Sequence, residues 1–250
     1  MIKLFKHRIK KLSEAIALLS IEIVMVLVAF FVALVMLVML IEEIFYDKEN
    51  TFDDRVFAYL SHHISPSLTD IMQAFTLLGS QYFLVPAWLL VFAYYIFLKK
   101  DKWNFLKTAV IAVSNLLLMF GLKFLFNRPR PLIPLLKHVH GLSFPSGHAF
   151  MSITFFGFLI YKAYTSISNT WLKWTAVALL TFTVLMVGLS RVYLRVHYAS
   201  DVLAGYCFAV VSVTLLLWML REVEKYNAKK VPYHLNVTKN EEDPVLRKVS

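Results

Sequence analysis

The sequence predicts an all-α polytopic membrane protein with six transmembrane helices and an active site at the outer membrane face. Three observations carry the prediction. Of 250 residues, 59% are hydrophobic and only 17% charged, with a mean hydropathy of +0.64, which is too apolar for a soluble domain of this length. The apolar residues gather into stretches near the ~20 residues a helix needs to cross ~30 Å of hydrocarbon. Histidines, arginines and a carboxylate recur at the ends of those stretches, and charge beside a membrane span marks a functional site by default.

The first apolar stretch runs from about Ala15 to Leu40. It is too long for a signal-peptide core and lacks a small-residue cleavage site, so it reads as a retained span. The second covers Tyr82 to Leu98, the third Phe105 to Phe126, and the fourth His148 to Tyr164. The fifth runs from Leu172 to Leu189 and the sixth from Val202 to Leu220. Residues 1–221 form one membrane domain, and 222–250 a polar cytoplasmic tail expected to be partly disordered. Between spans one and two, residues 42–80 form an outer loop. Phe52, Val56, Tyr59 and Leu60 give it an amphipathic helix on the outer leaflet, broken at Ser65-Pro66. A lid over the site is the sharper alternative. Ile71, Ala74, Phe75 and Leu78 continue an apolar face that would lengthen span two.

Lysine and arginine placement sets the orientation. Lys3, Lys6, Arg8, Lys10 and Lys11 precede span one; Lys99, Lys100, Lys102 and Lys107 follow span two. Lys162 and Lys173 flank the turn between spans four and five, and Arg221, Lys225, Lys229 and Lys230 follow span six. With six spans these fall on one side, so both termini are expected in the cytoplasm of a cell-membrane protein. The net charge of +10 is thus a lipid-facing charge, and nucleic-acid binding is set aside. A single cysteine, Cys207, permits no internal disulfide. The Asn236-Val237-Thr238 sequon carries no meaning on the cytoplasmic side.

The remaining cations break the orientation rule, because Lys123, Arg128, Arg130, Lys137, Arg191 and Arg195 lie in outer segments. Phosphate binding supplies a reason, since guanidinium matches phosphate oxygens in bidentate fashion and lysine acts as a point charge. Lys123, Arg130 and Arg191 take that role; snorkelling to headgroups accounts for Arg128, Lys137 and Arg195. Ser146 reads as the N-cap of span four, in Pro145-Ser146-Gly147-His148, and Gly147 lets backbone approach a ligand. A helix N-terminus suits an anion, and His148 would sit over it to protonate a leaving oxygen. His197 and Asp201 are four apart and share a helix face, so the carboxylate can fix the imidazole tautomer and free the other nitrogen for attack. A capping aspartate beside a surface histidine is the competing reading. His62 and His63, and His138 and His140, lack partners at useful spacing.

The pattern Lys123-(six residues)-Arg130-Pro131, Pro145-Ser146-Gly147-His148, then Ser190-Arg191-(five)-His197-(three)-Asp201 resembles the type 2 phosphatidic acid phosphatase superfamily, over roughly Gln81 to Leu220. The resemblance implies an integral membrane lipid phosphatase working through a phosphohistidine. His197 would be the nucleophile, Asp201 its orienting partner and His148 the general acid, with Lys123, Arg130, Ser146, Gly147 and Arg191 binding phosphate. It further implies no metal and no cofactor, and a lipid phosphate or diphosphate substrate in the bilayer. Undecaprenyl diphosphate or phosphatidylglycerol phosphate is favoured, with phosphatidate open. Vanadate-dependent haloperoxidases share the constellation but are soluble, and a non-catalytic lipid-phosphate binding or transport protein is the alternative from another class. Oligomeric state is not legible.

Overall fold

The computed structural model describes residues 21–48, 50–136 and 141–241, with side chains to 226. The N-terminal cations, Lys137, His138, His140 and the side chains of Lys229 and Lys230 fall outside the described residues. The described chain consists of helices and short connections, with no strand among them. Helix α1 is Ile21–Ile41, continued by a π-helical turn Glu42–Asp47. Two short helices follow, α2 Thr51–Ser61 and α3 Pro66–Leu78; then α4 Gln81–Ala93, prolonged by a π-turn Tyr94–Leu98. The remainder are α5 Lys102–Phe126, α6 Gly147–Ser166, α7 Thr170–Tyr193 and α8 Ala199–Glu241.

Local chemistry explains most of these limits. Asp101 caps α5 by accepting from Asn104 N–H at 3.0 Å, Ser65 caps α3 through Leu68, and Asn169 caps α7 through Leu172. The bond to Asn104 holds the Asp101 carboxyl below its usual range. Asn127 ends α5 in the left-handed region at φ 44°, turning the chain into the segment that leads to α6. Pro66 fits the first turn of α3, whose own N–H would have no helical partner.

Five stretches among the described residues are long and apolar enough to cross a bilayer: Ile23–Asp47, Pro66–Leu98, Lys102–Phe126, Thr170–Tyr193 and Ala199–Tyr226. The expected fourth span, α6, is not one of them. Its 20 residues include His148, Ser152, Thr154 and Lys162, and its apolar side chains face protein. Phe155, Phe156 and Phe158 are buried with Trp88 of α4, Ala112 of α5 and Val184 of α7. Helix α6 is therefore the central post, packed by α7, α5 and α4. Helix α3 is not a plain extension of the next span: it breaks at Gly79-Ser80 and packs along α7.

The chain divides into two compact units, Met1–Val213 and Thr214–Ser250. In the first, the early turns of α8 lie against α1 through Ala204, Cys207, Ala33 and Leu37. Asn115 on α5 accepts from Ser212 on α8 at 2.5 Å, a buried polar tie between apolar helices. In the second, α8 runs on to Glu241 instead of ending at Leu220. Residues 221–231 contain no glycine or proline, and Lys225 pairs with Glu222 at 2.6 Å, so the helix continues past Leu220, with Pro232 inside its later turns.

Gly205 marks the closest approach of α8 to α6. A Cβ there would stand 2.8 Å from the Ser146 carbonyl oxygen and 3.3 Å from Ala149 Cβ, and both atoms belong to a fixed helix start. Gly205→Val should destabilise the protein by about 1–3 kcal/mol through overpacking. A thermal melt in detergent reads this directly; an unchanged midpoint would mean the two helices can separate freely.

Candidate active site

The site is built where the ends of α5 and α7, and residues 127–136 and 141–146, meet the starts of α6 and α8. Sequence spacing alone placed His197 and Asp201 on one helix face. In the structure His197 precedes α8, held in a tight turn in which the Arg191 carbonyl accepts from both Val196 N–H at 3.1 Å and His197 N–H at 3.3 Å. Arg195 makes that turn possible at φ 52°. Asp201, in the first turn of α8, reaches back so that Oδ2 accepts from Tyr198 N–H at 2.9 Å and lies 3.4 Å from His197 Nδ1. Capping and pairing, posed as rival readings, are performed by the same carboxylate.

Three further groups converge on Asp201, which is fully buried. Ser143 Oγ donates to Oδ2 in a short hydrogen bond and stands 3.4 Å from His197 Nδ1. Arg128 Nη1 donates to Oδ1 at 2.7 Å. The Asp201 backbone carbonyl accepts from Ser146 N–H at 2.9 Å. That bond fixes the start of α6, where the buried Ser146 Oγ accepts from Ala149 N–H at 3.5 Å.

Burial sets the state of His197, which is 1% exposed. It pushes the imidazole down to about 4. The hydrogen bond and charge of Asp201 oppose the shift, while Arg191 and Arg130 reinforce it. The ring is therefore neutral at pH 7, and with Nδ1–H directed at a carboxylate, the Nε2 lone pair is available. Burial lowers Arg130 as well, against the pull of Asp201; a guanidinium so placed stays cationic.

The three expected phosphate cations surround this ring from different elements. Lys123 Nζ donates to Leu142 O at 2.8 Å, Arg130 Nε to Gly141 O at 3.0 Å, and Arg130 Nη1 to Val196 O at 2.9 Å. Each keeps donors to spare. Arg191, 5% exposed, gives Nη1 to Thr76 Oγ1 at 2.5 Å, while its buried Nε has no partner in the described structure. A buried unpaired donor costs about 1–3 kcal/mol, and an anion would relieve it. Lys123, Arg130, Gly147, His148 and His197 line one cavity of about 680 Å³. His148 is backed by Gly79, where a Cβ would sit 3.3 Å from His148 Cβ. Gly147 lies against Lys123, whose Cε would be 3.6 Å from a Cβ there. All eight expected site residues thus belong to one neighbourhood: Ser146 and Asp201 support it from behind, and Arg191 closes it from α7.

Two expectations need correction. Arg128 does not snorkel. It is 7% exposed, and it bridges Asp201 to Asp53 Oδ2 at 3.0 Å, with Tyr198 stacked 4.1 Å beneath its guanidinium. Its proximity to Pro129 and Arg130 gave no hint of that, because the partner carboxylate is far away in sequence. Nor does α2 simply lie on a leaflet. Asp53 is 2% exposed and accepts from Ser200 N–H at 2.9 Å and Ser200 Oγ at 2.6 Å, which ties α2 to the start of α8. Arg195 is half-buried, its guanidinium 6.0 Å from the Phe57 ring. Ser143 was also missed; its burial beside the motif is a tertiary fact.

Residues 104–225 match the PAP2 superfamily model. Phosphatidylglycerophosphatase B of Bacillus subtilis (strain 168) is 29% identical over 167 residues, covering 66% of this chain and 81% of that protein. The fold is similar to the crystal structure of a transmembrane PAP2 type phosphatidylglycerolphosphate phosphatase from Bacillus subtilis. That similarity has a TM-score of 0.68 at 24% identity, over 79% of this chain and 96% of that one. Aquifex aeolicus LpxE aligns with a TM-score of 0.50 at 27% identity, over 65% and 93% of the two chains.

The cation geometry makes a prediction independent of turnover. Inorganic phosphate should bind the purified protein, and Arg191→Ala should weaken it by about tenfold or more, the scale of one charge-assisted hydrogen bond. Calorimetric titration decides; equal affinity in the variant would remove Arg191 from the anion site.

Proposed function

We propose that the chain, whose residues 104–225 match the PAP2 superfamily model and which is similar to phosphatidylglycerophosphatase B, is a multi-pass membrane phosphatase of that class and removes a phosphate or diphosphate from a membrane lipid through a phosphohistidine on His197. One observation carries the reading. The cavity that holds Lys123, Arg130, His148 and His197 continues along apolar walls of α4 and α5, including Leu84, Trp88, Leu116 and Phe120. A charged end joined to an apolar channel fits a phosphate headgroup with a hydrocarbon chain.

In the proposed reaction His197 Nε2 attacks phosphorus in line while the bond to the leaving oxygen breaks. His148 delivers a proton to that oxygen. Asp201 holds Nδ1–H and stabilises the positive charge that develops on the ring. His148 then takes a proton from water, the water oxygen attacks the phosphohistidine, and inorganic phosphate leaves as His197 regains neutrality. Lys123, Arg130 and Arg191 stabilise the equatorial oxygens, a task metal ions perform in other phosphoryl-transfer sites. Of the candidate lipids, undecaprenyl diphosphate and phosphatidylglycerol phosphate are favoured, the latter because the curated relative carries that activity in its name.

The proposed topology has six spans, with α6 as the shielded sixth, and an outward-facing site. Lysines support it. Lys102 begins α5, Lys162 lies late in α6 and Lys173 early in α7, all at the helix ends opposite Lys123, His148 and Arg191. Lys162 Nζ is 5.4 Å from the Tyr95 ring and 5.8 Å from the Tyr161 ring, and Lys173 Nζ is 5.2 Å from Tyr164, an interfacial belt of cations and aromatics. That end is assigned to the cytoplasm.

Phosphate release from lipid substrates in mixed micelles tests the reading. His197→Ala should abolish it while the protein remains folded, and EDTA should leave the wild type active. Retained turnover in His197→Ala, or faster hydrolysis of a soluble sugar phosphate than of any lipid, would overturn the proposal. The pH response follows from the depressed His197 value. Nucleophilic His197 is the neutral form, so kcat/KM should hold through mildly acidic pH and fall as pH drops through about 4. Stability has the same sign. The unfolded imidazole, near ~6.5, binds a proton that the folded one refuses, so this contribution is complete above that value and lost as pH falls toward 4.

A further inference from the structure

Arg128 is the cation for which the phosphate reading has no use. It does not line the cavity, and both terminal nitrogens are committed within the protein. Nη1 donates to Asp201 Oδ1 at 2.7 Å and Ser200 Oγ at 2.9 Å; Nη2 donates to Asp53 Oδ2 and Asn50 Oδ1, each at 3.0 Å. The charge count is the unusual part. Asp201 must remain an effective anion if it is to steady a cationic His197 ring. A guanidinium 2.7 Å away cancels much of that charge, and burial leaves little water to screen the effect. A second carboxylate on the far side of Arg128 restores it: Asp53, Arg128 and Asp201 together carry one net negative charge.

Resting on the phosphohistidine reading, we infer that Asp53 is a positioning residue for the His197–Asp201 pair. It acts through Arg128 to keep Asp201 both oriented and electrostatically negative, and α2 is thereby part of the catalytic apparatus. Orientation follows from the geometry. Arg128 occupies Oδ1, leaving Oδ2 for Ser143, the Tyr198 N–H and His197. Asp53 and Ser200 hold Arg128 in that place. Asp53 lies ahead of residues 104–225, the part of the chain that matches the superfamily model.

The other charged groups facing His197 are Lys123 from α5, Arg130 from the 127–146 segment, His148 from α6 and Arg191 from α7. They are unchanged in the variants below, so differences report the Asp53–Arg128 link. The full-length protein in mixed micelles is assayed with dioleoyl phosphatidate across pH. Arg128→Gln should raise the acid limb of kcat/KM by about one pH unit, because Asp201 then favours the protonated ring more strongly. Asp53→Asn should leave KM near wild type, lower kcat about tenfold, and keep the limb at or below the wild-type position. The double variant Asp53→Asn/Arg128→Gln should bring the limb back from the Arg128→Gln position toward wild type. Arg128→Lys, which keeps charge but loses the two-armed fork, should lower kcat with the limb in place.

A merely structural role would reduce folded protein without this ordering. Coincident limbs in all variants, or shifts of the same sign for Asp53→Asn and Arg128→Gln, would overturn the inference. If Arg128→Gln does not fold, Asp53→Asn decides alone: unchanged kcat, or a limb that rises, overturns it. His197→Ala run in parallel separates the two layers. Turnover in that variant strikes the phosphohistidine reading, whereas an inactive His197→Ala beside an unresponsive Asp53→Asn strikes only the role of Asp53.

Discussion

The carboxylate of Asp201 is the contact on which the rest of the site depends. Taken out of water completely, it is sustained as an anion because both of its oxygens accept hydrogen bonds within the protein. The donors come from separate parts of the chain: Arg128 and Ser143 from the segment between α5 and α6, and the Tyr198 N–H and His197 from the turn before α8. Its own backbone carbonyl meanwhile anchors Ser146, and with it the start of α6. One buried charge thus sets the relative position of three sequence motifs. Each motif in turn has a reason to be where it is that is independent of any ligand.

Around that contact the fold divides its labour by depth. Glycines allow the close approaches: Gly205 brings α8 against the first turn of α6, and Gly79 lets the α3–α4 junction touch His148. Lower down, aromatic contacts such as Trp88 to Phe155, with ring centroids 5.0 Å apart, fill the space between α4 and α6. The polar end is rigid because it is stitched by hydrogen bonds, and the apolar wall below it offers contact without direction. Under the proposed reading, a substrate would be fixed at its phosphate and tolerated along its chain.

How much of this was legible in the sequence varied with the range of the interaction. Spans declare themselves through composition, and the motif residues through spacing, because both are local patterns. The convergence of Lys123, Arg130, His148, Arg191 and His197 followed from counting crossings. What could not be read was tertiary. Arg128 looks like any basic residue at a membrane edge until Asp53 is seen 3.0 Å away, and Asp53 looks like one acid among several in an outer loop. The helical identity of α6 was clear, but its failure to resemble a free-standing span was not, since that depends on which neighbours shield it. The break at Gly79-Ser80 was similarly hidden, because apolar periodicity runs through it.

Helix α5 carries a consequence of its own. It begins with Lys102 and has Lys123 near its other end, about 32 Å apart at the rise of an α-helix, close to the ~30 Å of bilayer hydrocarbon. A single rigid rod therefore joins the lysines of the far interface to the cation at the site. In the proposed topology it acts as a ruler: once the far end is seated among its aromatics, the height of the proposed catalytic groups relative to the opposite headgroups is no longer adjustable. Under the proposed function, membrane thickness becomes a variable of the reaction, because a thinner or thicker bilayer would have to tilt the rod or deform around it before a lipid phosphate could meet His197.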